Sequence, residues 1–227
     1  MDRPRVEAVF FDWYGTVADI GALVVGCEAA APGQGQELAA RWRARQLELT
    51  WLRTIMGSWA DFEAVTADAL TTALAELKIE VTDPARARLA SCFVELPARP
   101  EAVAALADLR AAGLRLGVLS NASRGMLALG LDRTGLRSAF DDVLSVDAAR
   151  RYKPDPAVYR LAVETVETNP DRIGFVTTNG WDAAGAGAFG LRVAWLPHGV
   201  DETLPLVGAP GPVVAGWREL VEIFRSI

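Results

Sequence analysis

The chain has 227 residues, enough for one large domain or two small ones, and its 51% hydrophobic and 23% charged residues are the proportions of a soluble globular protein. That balance excludes a disordered chain and a disulfide scaffold, and a formal net charge of −6 argues against a nucleic-acid partner. A single histidine, His198, excludes a His-rich metal site, and Cys27 and Cys92 lack any Cys-x-x-Cys spacing, as expected of a reducing, cytoplasmic compartment.

From Met1 through Arg3 and Arg5 the chain runs directly into a short apolar stretch, with no signal peptide. The longest apolar runs are strand-sized, far below the roughly 20 residues of a membrane helix, so no membrane partner is expected. Residues 6–11 form a β-branched and aromatic run that stops at Asp12, the pattern of a strand covered on both faces. Two long helical patterns follow at 37–56 and 62–77, then a shorter one near 84–93. Residues 100–112 read as a helix, with Pro100 at its start and Gly113 just past its end. Further strands are expected at 114–119, 143–146, 173–177 and 191–196, alternating with helices at 123–131, 155–166 and 181–189. A Pro/Gly-rich loop at 204–212 precedes a last helix at 217–225.

Alternation of strand and helix predicts a doubly wound, parallel α/β sheet, a Rossmann-like core. The helical block at 20–99 breaks that rhythm and reads as an inserted all-helical cap domain over a core of residues 1–19 and 100–227. Gly185 to Gly190 matches the dinucleotide fingerprint G-x-G-x-x-G, but it falls at the end of a helix rather than opening one after a strand. Close helix–sheet packing is the better reading, and no cofactor is expected. His198 reads as an exposed loop residue.

Ligands of open α/β sheets bind beyond the carboxyl ends of the strands. Four polar clusters lie there: Asp12 to Thr16, Ser120-Asn121, Lys153 to Asp155, and Thr177 to Asp182. They supply carboxylates, hydroxyls, amides and an ammonium. Lys153 is one of only two lysines, with Lys78, in a chain that otherwise uses arginine, which favours function over a solvated surface charge.

In order and spacing these clusters resemble the four motifs of the haloacid dehalogenase superfamily. With Trp42 to Glu48 and Thr50 to Arg53 as cap motif, they resemble most the L-2-haloacid dehalogenases. The resemblance implies hydrolysis of (S)-2-haloalkanoic acids to (R)-2-hydroxy acids, without metal or cofactor, in a homodimer. It makes Asp12 the nucleophile and Lys153 its charge partner, and Asp182 the base or orienter of water with Asn179 and Thr177. Thr16 and Ser120 would bond Asp12 or the substrate carboxylate, and Arg43 and Asn121 would cradle halide. Tyr14, Leu47, Phe62 and Trp181 would wall the pocket, and Tyr159 would lie near Lys153. Phosphatases of the superfamily carry an acid/base Asp two residues after the nucleophile; here that residue is Tyr14, with an ordinary pKa of about 10. They also hold Mg²⁺ on an acidic pair, where this chain has Asn179 and Asp182.

Other readings stay open on the residues alone. A phosphatase or phosphonate hydrolase, and an idle relative acting as a binding partner, are the alternatives. Arg41, Arg43, Arg45 and Arg53 crowd one helix, so Arg43 could be a surface charge. Thr177 and Ser120 could cap the following helices. Trp51 and Trp59 read as core, and both cysteines as buried.

Overall fold

The computed structural model describes residues 5–197 and 213–225. His198 and the loop expected at 204–212 lie outside the described residues. Five strands form one parallel sheet in the order β3-β2-β1-β4-β5: β1 Ala8–Phe11, β2 Arg115–Ser120, β3 Asp142–Ser145, β4 Ile173–Thr177 and β5 Arg192–Trp195. Strand β1 is central, with Phe11 opposite Val118 of β2 and Val176 of β4. All four of its residues are buried, as a strand covered on both faces requires.

The chain winds from β1 outward to β3, then returns to β4 on the other side of β1. This reversal places a topological switch point at the carboxyl ends of β1 and β4, where a cleft forms. The core helices are α5 Pro100–Ala111, α6 Arg124–Thr134, α7 Pro156–Val166, α8 Gly180–Phe189 and α9 Trp217–Arg225. Helix α7 packs on α8, and α9 on α5.

Between β1 and α5 lie α1 Leu23–Ala30, α2 Gly35–Met56, α3 Phe62–Leu77 and α4 Asp83–Ser91, with no strand of the sheet among them. Asp61 and Thr82 cap α3 and α4 by accepting from Ala64 and Ala85 amides. Helix α1 is an addition to the sequence reading. Its Val24, Val25 and Gly26 are weak helix formers, and it forms against α2 and α4. No described helix is long and apolar enough to cross a membrane.

Two seams tie these helices to the core. Tyr152 donates its hydroxyl to the Ala60 carbonyl at 2.7 Å and its backbone N–H to Thr54 Oγ1 at 3.0 Å. On the other side the hydroxyl of Ser123, the N-cap of α6, donates to Glu63 of α3.

Candidate active site

Asp12 is the first residue after β1, and its backbone N–H donates to the Val176 carbonyl of β4 at 2.9 Å. The chain then turns sharply. The amides of Val17 and Ala18 both return to the Trp13 carbonyl, at 3.0 and 2.9 Å, and Gly15 takes φ +90°, a conformation that favours glycine. The turn brings Thr16 back, so that its hydroxyl donates to Asp12 Oδ2 at 3.2 Å.

Lys153, wholly buried, lies between two carboxylates. Its Nζ donates to Asp12 Oδ1 and to Asp182 Oδ2, each at 3.0 Å, and stands 4.8 Å from the centroid of the Phe175 ring. Asn179 Nδ2 donates to Asp12 Oδ2 at 2.8 Å and to the Tyr14 carbonyl at 3.3 Å. Tyr159 donates its hydroxyl to Asp182 Oδ1 at 2.7 Å. Three donors therefore hold Asp12, out of about four acceptor positions on a carboxylate. Oδ2 takes two of them, so the lone pair left for attack is on Oδ1.

The glycine run in α8 serves this arrangement. A Cβ on Gly185 would stand 2.5 Å from Pro154 Cβ and 2.7 Å from the Tyr159 hydroxyl, so α8 closes on the Lys153 loop only with glycine there.

Burial raises the Asp182 pKa to about 6 against the pull of Lys153, with the charge of Asp12 adding to the rise. Burial works against the charge of Lys153, but Asp12 and Asp182 outweigh it and hold its pKa above the ordinary value. Burial also pushes the Tyr159 phenol well up, which keeps it a donor to Asp182. Tyr14 is buried too, and its pKa is driven far above that of a free phenol, burial being the largest cause. Its ring stacks on Phe62 at 5.7 Å and meets Phe93 edge-on at 5.4 Å, and its hydroxyl has no partner.

Arg43 projects from α2 toward this centre. Burial lowers its pKa, while Asp12 and Tyr14 act in the opposite sense. Its neighbours on the helix are spoken for: Arg41 and Arg45 pair with Glu76 at 3.2 and 2.7 Å, and Arg53 with Asp68 at 2.7 Å. Among the described residues Arg43 has no carboxylate within 4 Å, and Nη1 donates instead to Gln46 Oε1 at 2.6 Å.

Other expected residues stand further back. Asn121 Oδ1 accepts the backbone N–H of Lys153 at 3.0 Å, so it fixes the lysine loop. Ser120 Oγ accepts from the Ala122 N–H at 3.0 Å and Thr177 Oγ1 from the Asn179 N–H at 3.1 Å. Both brace the turns after their strands and cap neither helix: Ser123 caps α6, and α8 begins at Asn179 without a side-chain cap. Leu47 is half-buried on α2, one turn beyond Arg43.

Trp181 is half-buried and meets Trp51 edge-on at 5.7 Å. With Thr54, Ile55, Tyr152 and Pro154 the two tryptophans line a groove of about 500 Å³ beside the Lys153 loop. Trp51 is thus half-exposed groove wall rather than core. Trp59 is also half-buried, stacked on Tyr152 at 4.9 Å. Cys27 is buried, whereas Cys92 is only partly so. Thr178, inside the fourth polar cluster but with no role expected of it, donates its N–H to Thr16 Oγ1 at 3.0 Å; Gln46, inside the cap motif but with no role of its own expected, stands with Thr66 behind Arg43.

A divalent cation does not fit this centre. The two carboxylates it would need already share the ammonium of Lys153, and Asn179 presents its NH₂ to Asp12 where a metal would require an oxygen.

Comparison with known proteins agrees with the geometry. Residues 6–190 match the family model "haloacid dehalogenase-like hydrolase". The chain is 39% identical over 192 residues to haloacetate dehalogenase H-2 of Moraxella sp. (strain B), covering 85% of this chain and 86% of that protein. It is 35% identical over 221 residues to an (S)-2-haloacid dehalogenase of Pseudomonas sp. (strain YL), covering 97% and 95%. Among solved structures, L-2-haloacid dehalogenase from Xanthobacter autotrophicus with chloropropionic acid covalently bound superposes with a TM-score of 0.81 at 36% identity, covering 96% of this chain and 87% of that one.

Proposed function

The chain belongs to the haloacid dehalogenase-like hydrolases, and we propose that it hydrolyses (S)-2-haloalkanoic acids to (R)-2-hydroxy acids and halide through an ester on Asp12. The observation that carries this reading is the pairing at Asp12: a buried carboxylate bonded to Lys153 Nζ at 3.0 Å, with Arg43, which has no carboxylate within 4 Å among the described residues, close enough to feel its charge. Such a site takes an anion and attacks it with another anion.

In the first step Asp12 Oδ1 attacks C2 in line and the C–X bond electrons leave as halide, inverting C2. Halide needs no proton, so the absence of a carboxyl group at position 14 costs nothing. In the second step water attacks the ester carbonyl carbon of Asp12. The alkoxide leaves with a proton derived from that water, and the water oxygen remains in the Asp12 carboxylate. Asp182, ionised above about pH 6, serves as base or orienter for the water, with Tyr159 and Lys153 fixing its two oxygens. Arg43 receives the departing halide. Tyr14, Phe62, Leu47 and Trp181 keep bulk water from the nucleophile until halide has left. Asn121, Ser120, Thr16 and Thr177 hold the loops that carry Asp12, Lys153 and Asn179.

Phosphoryl transfer is disfavoured. A buried, unbonded phenol at Tyr14 is a poor acid for an alcohol leaving group, and the donor set around Asp12 repels a metal. Residues 20–99 act as the cap. A homodimer in the cytoplasm completes the reading; the former is supported by Ile55 and Met56 at the end of α2, 80% and 67% exposed. The test is halide release from (S)- and (R)-2-chloropropionate in excess EDTA, with the product resolved on a chiral phase. Release from the S acid alone, giving the R hydroxy acid, is expected. Loss of release in EDTA, or retention of configuration, refutes the reading.

A further inference from the structure

Gln46 is a polar residue with no exposure at all, on a helix whose Arg41, Arg45 and Arg53 end in ion pairs. A buried amide must satisfy its hydrogen bonds, and here the partners fix its orientation. The Thr66 hydroxyl donates to the Phe62 carbonyl at 2.6 Å. Having spent its only proton, Thr66 Oγ1 must accept, and it takes the Gln46 Nε2 proton at 2.7 Å. That sets the NH₂ end of the amide toward α3 and leaves Oε1 facing Arg43, whose Nη1 donates to it at 2.6 Å. The backbone carbonyl of Thr66 is itself held by Trp42 Nε1 at 2.8 Å. The orientation of the Gln46 amide follows from the Thr66 hydroxyl bond.

We propose that Gln46 and Thr66 are positioning residues for dehalogenation, a relay that aims the Arg43 guanidinium by a neutral acceptor so that its charge stays free for the substrate or halide anion. The proposal rests on the reading of Arg43 as the anion site. The neutrality matters. A carboxylate at position 46 would hold the guanidinium equally well and cancel the charge the anion needs, as Glu76 does for Arg45. The amide fixes direction without neutralising.

Two Thr66 variants separate the relay from plain packing. Thr66→Val keeps the shape and removes the hydroxyl, freeing the Gln46 amide to turn its NH₂ toward Arg43. Thr66→Ser keeps the hydroxyl and loses the methyl. Steady-state constants for (S)-2-chloropropionate and the inhibition constant of bromide are measured for both. Thr66→Val is expected to raise KM and the bromide constant together by roughly fivefold, the weight of one net hydrogen bond, with kcat changed less than about twofold. Thr66→Ser shifts both constants less than about twofold. A packing role predicts the reverse order, because the buried methyl is what Thr66→Ser deletes. Gln46→Glu adds the charge test and should raise both constants by roughly tenfold or more. Equal effects of the two Thr66 variants, a harmless Thr66→Val, or unchanged constants in a folded Gln46→Glu overturn the relay. Wild-type protein that releases no halide from any 2-haloacid overturns instead the function on which the relay rests.

Discussion

Lys153→Met is the most informative single change, because one atom holds two buried charges. Nζ lies 3.0 Å from a carboxylate oxygen of Asp12 and of Asp182, and Lys153 and Asp182 have no exposure. At an effective dielectric constant of about 20, each contact is worth roughly 5 kcal/mol before desolvation is charged against it. Removing the cation leaves two carboxylates facing each other. Breaking a buried pair costs about 3–5 kcal/mol, but here the cost has a ceiling, since the fold can bind a proton instead.

That ceiling gives the prediction its sign. A carboxyl whose pKa is higher in the folded than in the unfolded chain contributes stability that is complete below the unfolded value, about 4, and is lost as pH rises through the folded value. In the wild type Asp182 loses this contribution by about pH 6, and the curve flattens on that count. In Lys153→Met the folded pKa of Asp182 moves higher, because the charge that opposes burial is gone, so stability keeps falling above pH 6, by about 1.4 kcal/mol per unit for one proton. The gap between variant and wild type should widen by roughly 2 kcal/mol from pH 6 to 8, since the wild type is itself half-protonated at Asp182 at pH 6. Near pH 7 halide release should fall about a hundredfold, because Asp12 Oδ1 loses the donor that positions it for attack. Urea unfolding and halide release across pH 5–8 measure both. Unfolding curves whose separation does not change with pH would refute the claim that Lys153 holds the Asp182 pKa down against burial.

Asp182→Asn should release one equivalent of halide per active site in a burst and then stall, with Asp12 found as an ester by mass spectrometry; a burst followed by normal turnover would remove Asp182 from the second step. A single turnover with enzyme in excess, in ¹⁸O-water, should give unlabelled hydroxy acid and label in the peptide bearing Asp12, while Asp12→Asn releases no halide. Label in the first-turnover product would mean that water attacks C2 directly. Arg43→Met should raise KM and weaken bromide inhibition by roughly tenfold or more, whereas Arg41→Met, which removes a surface pair with Glu76, should leave both unchanged; similar effects of the two would deny Arg43 its role.

Much of this arrangement was legible in the sequence because the sheet converts chain order into position. Apolar runs ending at Asp12, Ser120 and Thr177 mark strand ends, and parallel strands put all their carboxyl ends on one side. The same logic predicted the sheet and the intervening helices to within a few residues, with α1 the exception, since Val24, Val25 and Gly26 carry no helical signal. Gly26 is there for tertiary reasons: a Cβ would stand 2.5 Å from Cys92 Sγ. The residues behind Arg43 were illegible for a different cause. Gln46 and Thr66 look like solvent-facing polar positions on long helices, and only the packing of α2 on α3 shows that they face each other. That Asn121 Oδ1 braces Lys153 is likewise a matter of side-chain direction, which spacing does not encode.

In the proposed reaction one charge moves, and the two cations are held in ways that suit it. At rest Lys153 bridges Asp12 and Asp182, while Arg43 has no carboxylate within 4 Å among the described residues. Alkylation turns Asp12 into an ester and delivers its negative charge to the halide. A lysine bound to Asp12 alone would then be a stranded buried cation, which is costly; Asp182, at 3.0 Å from the same Nζ, keeps it paired through the intermediate. The same event acts on Asp182. The charge of Asp12 is one of the causes that raise its pKa, so forming the ester lowers the proton affinity of Asp182 and holds it ionised for the water step. In the proposed reaction Arg43, aimed by an amide rather than neutralised by a carboxylate, would take up the charge that Asp12 gave away. On that proposal the first step sets the protonation state that the second requires, using only groups already fixed in the resting fold.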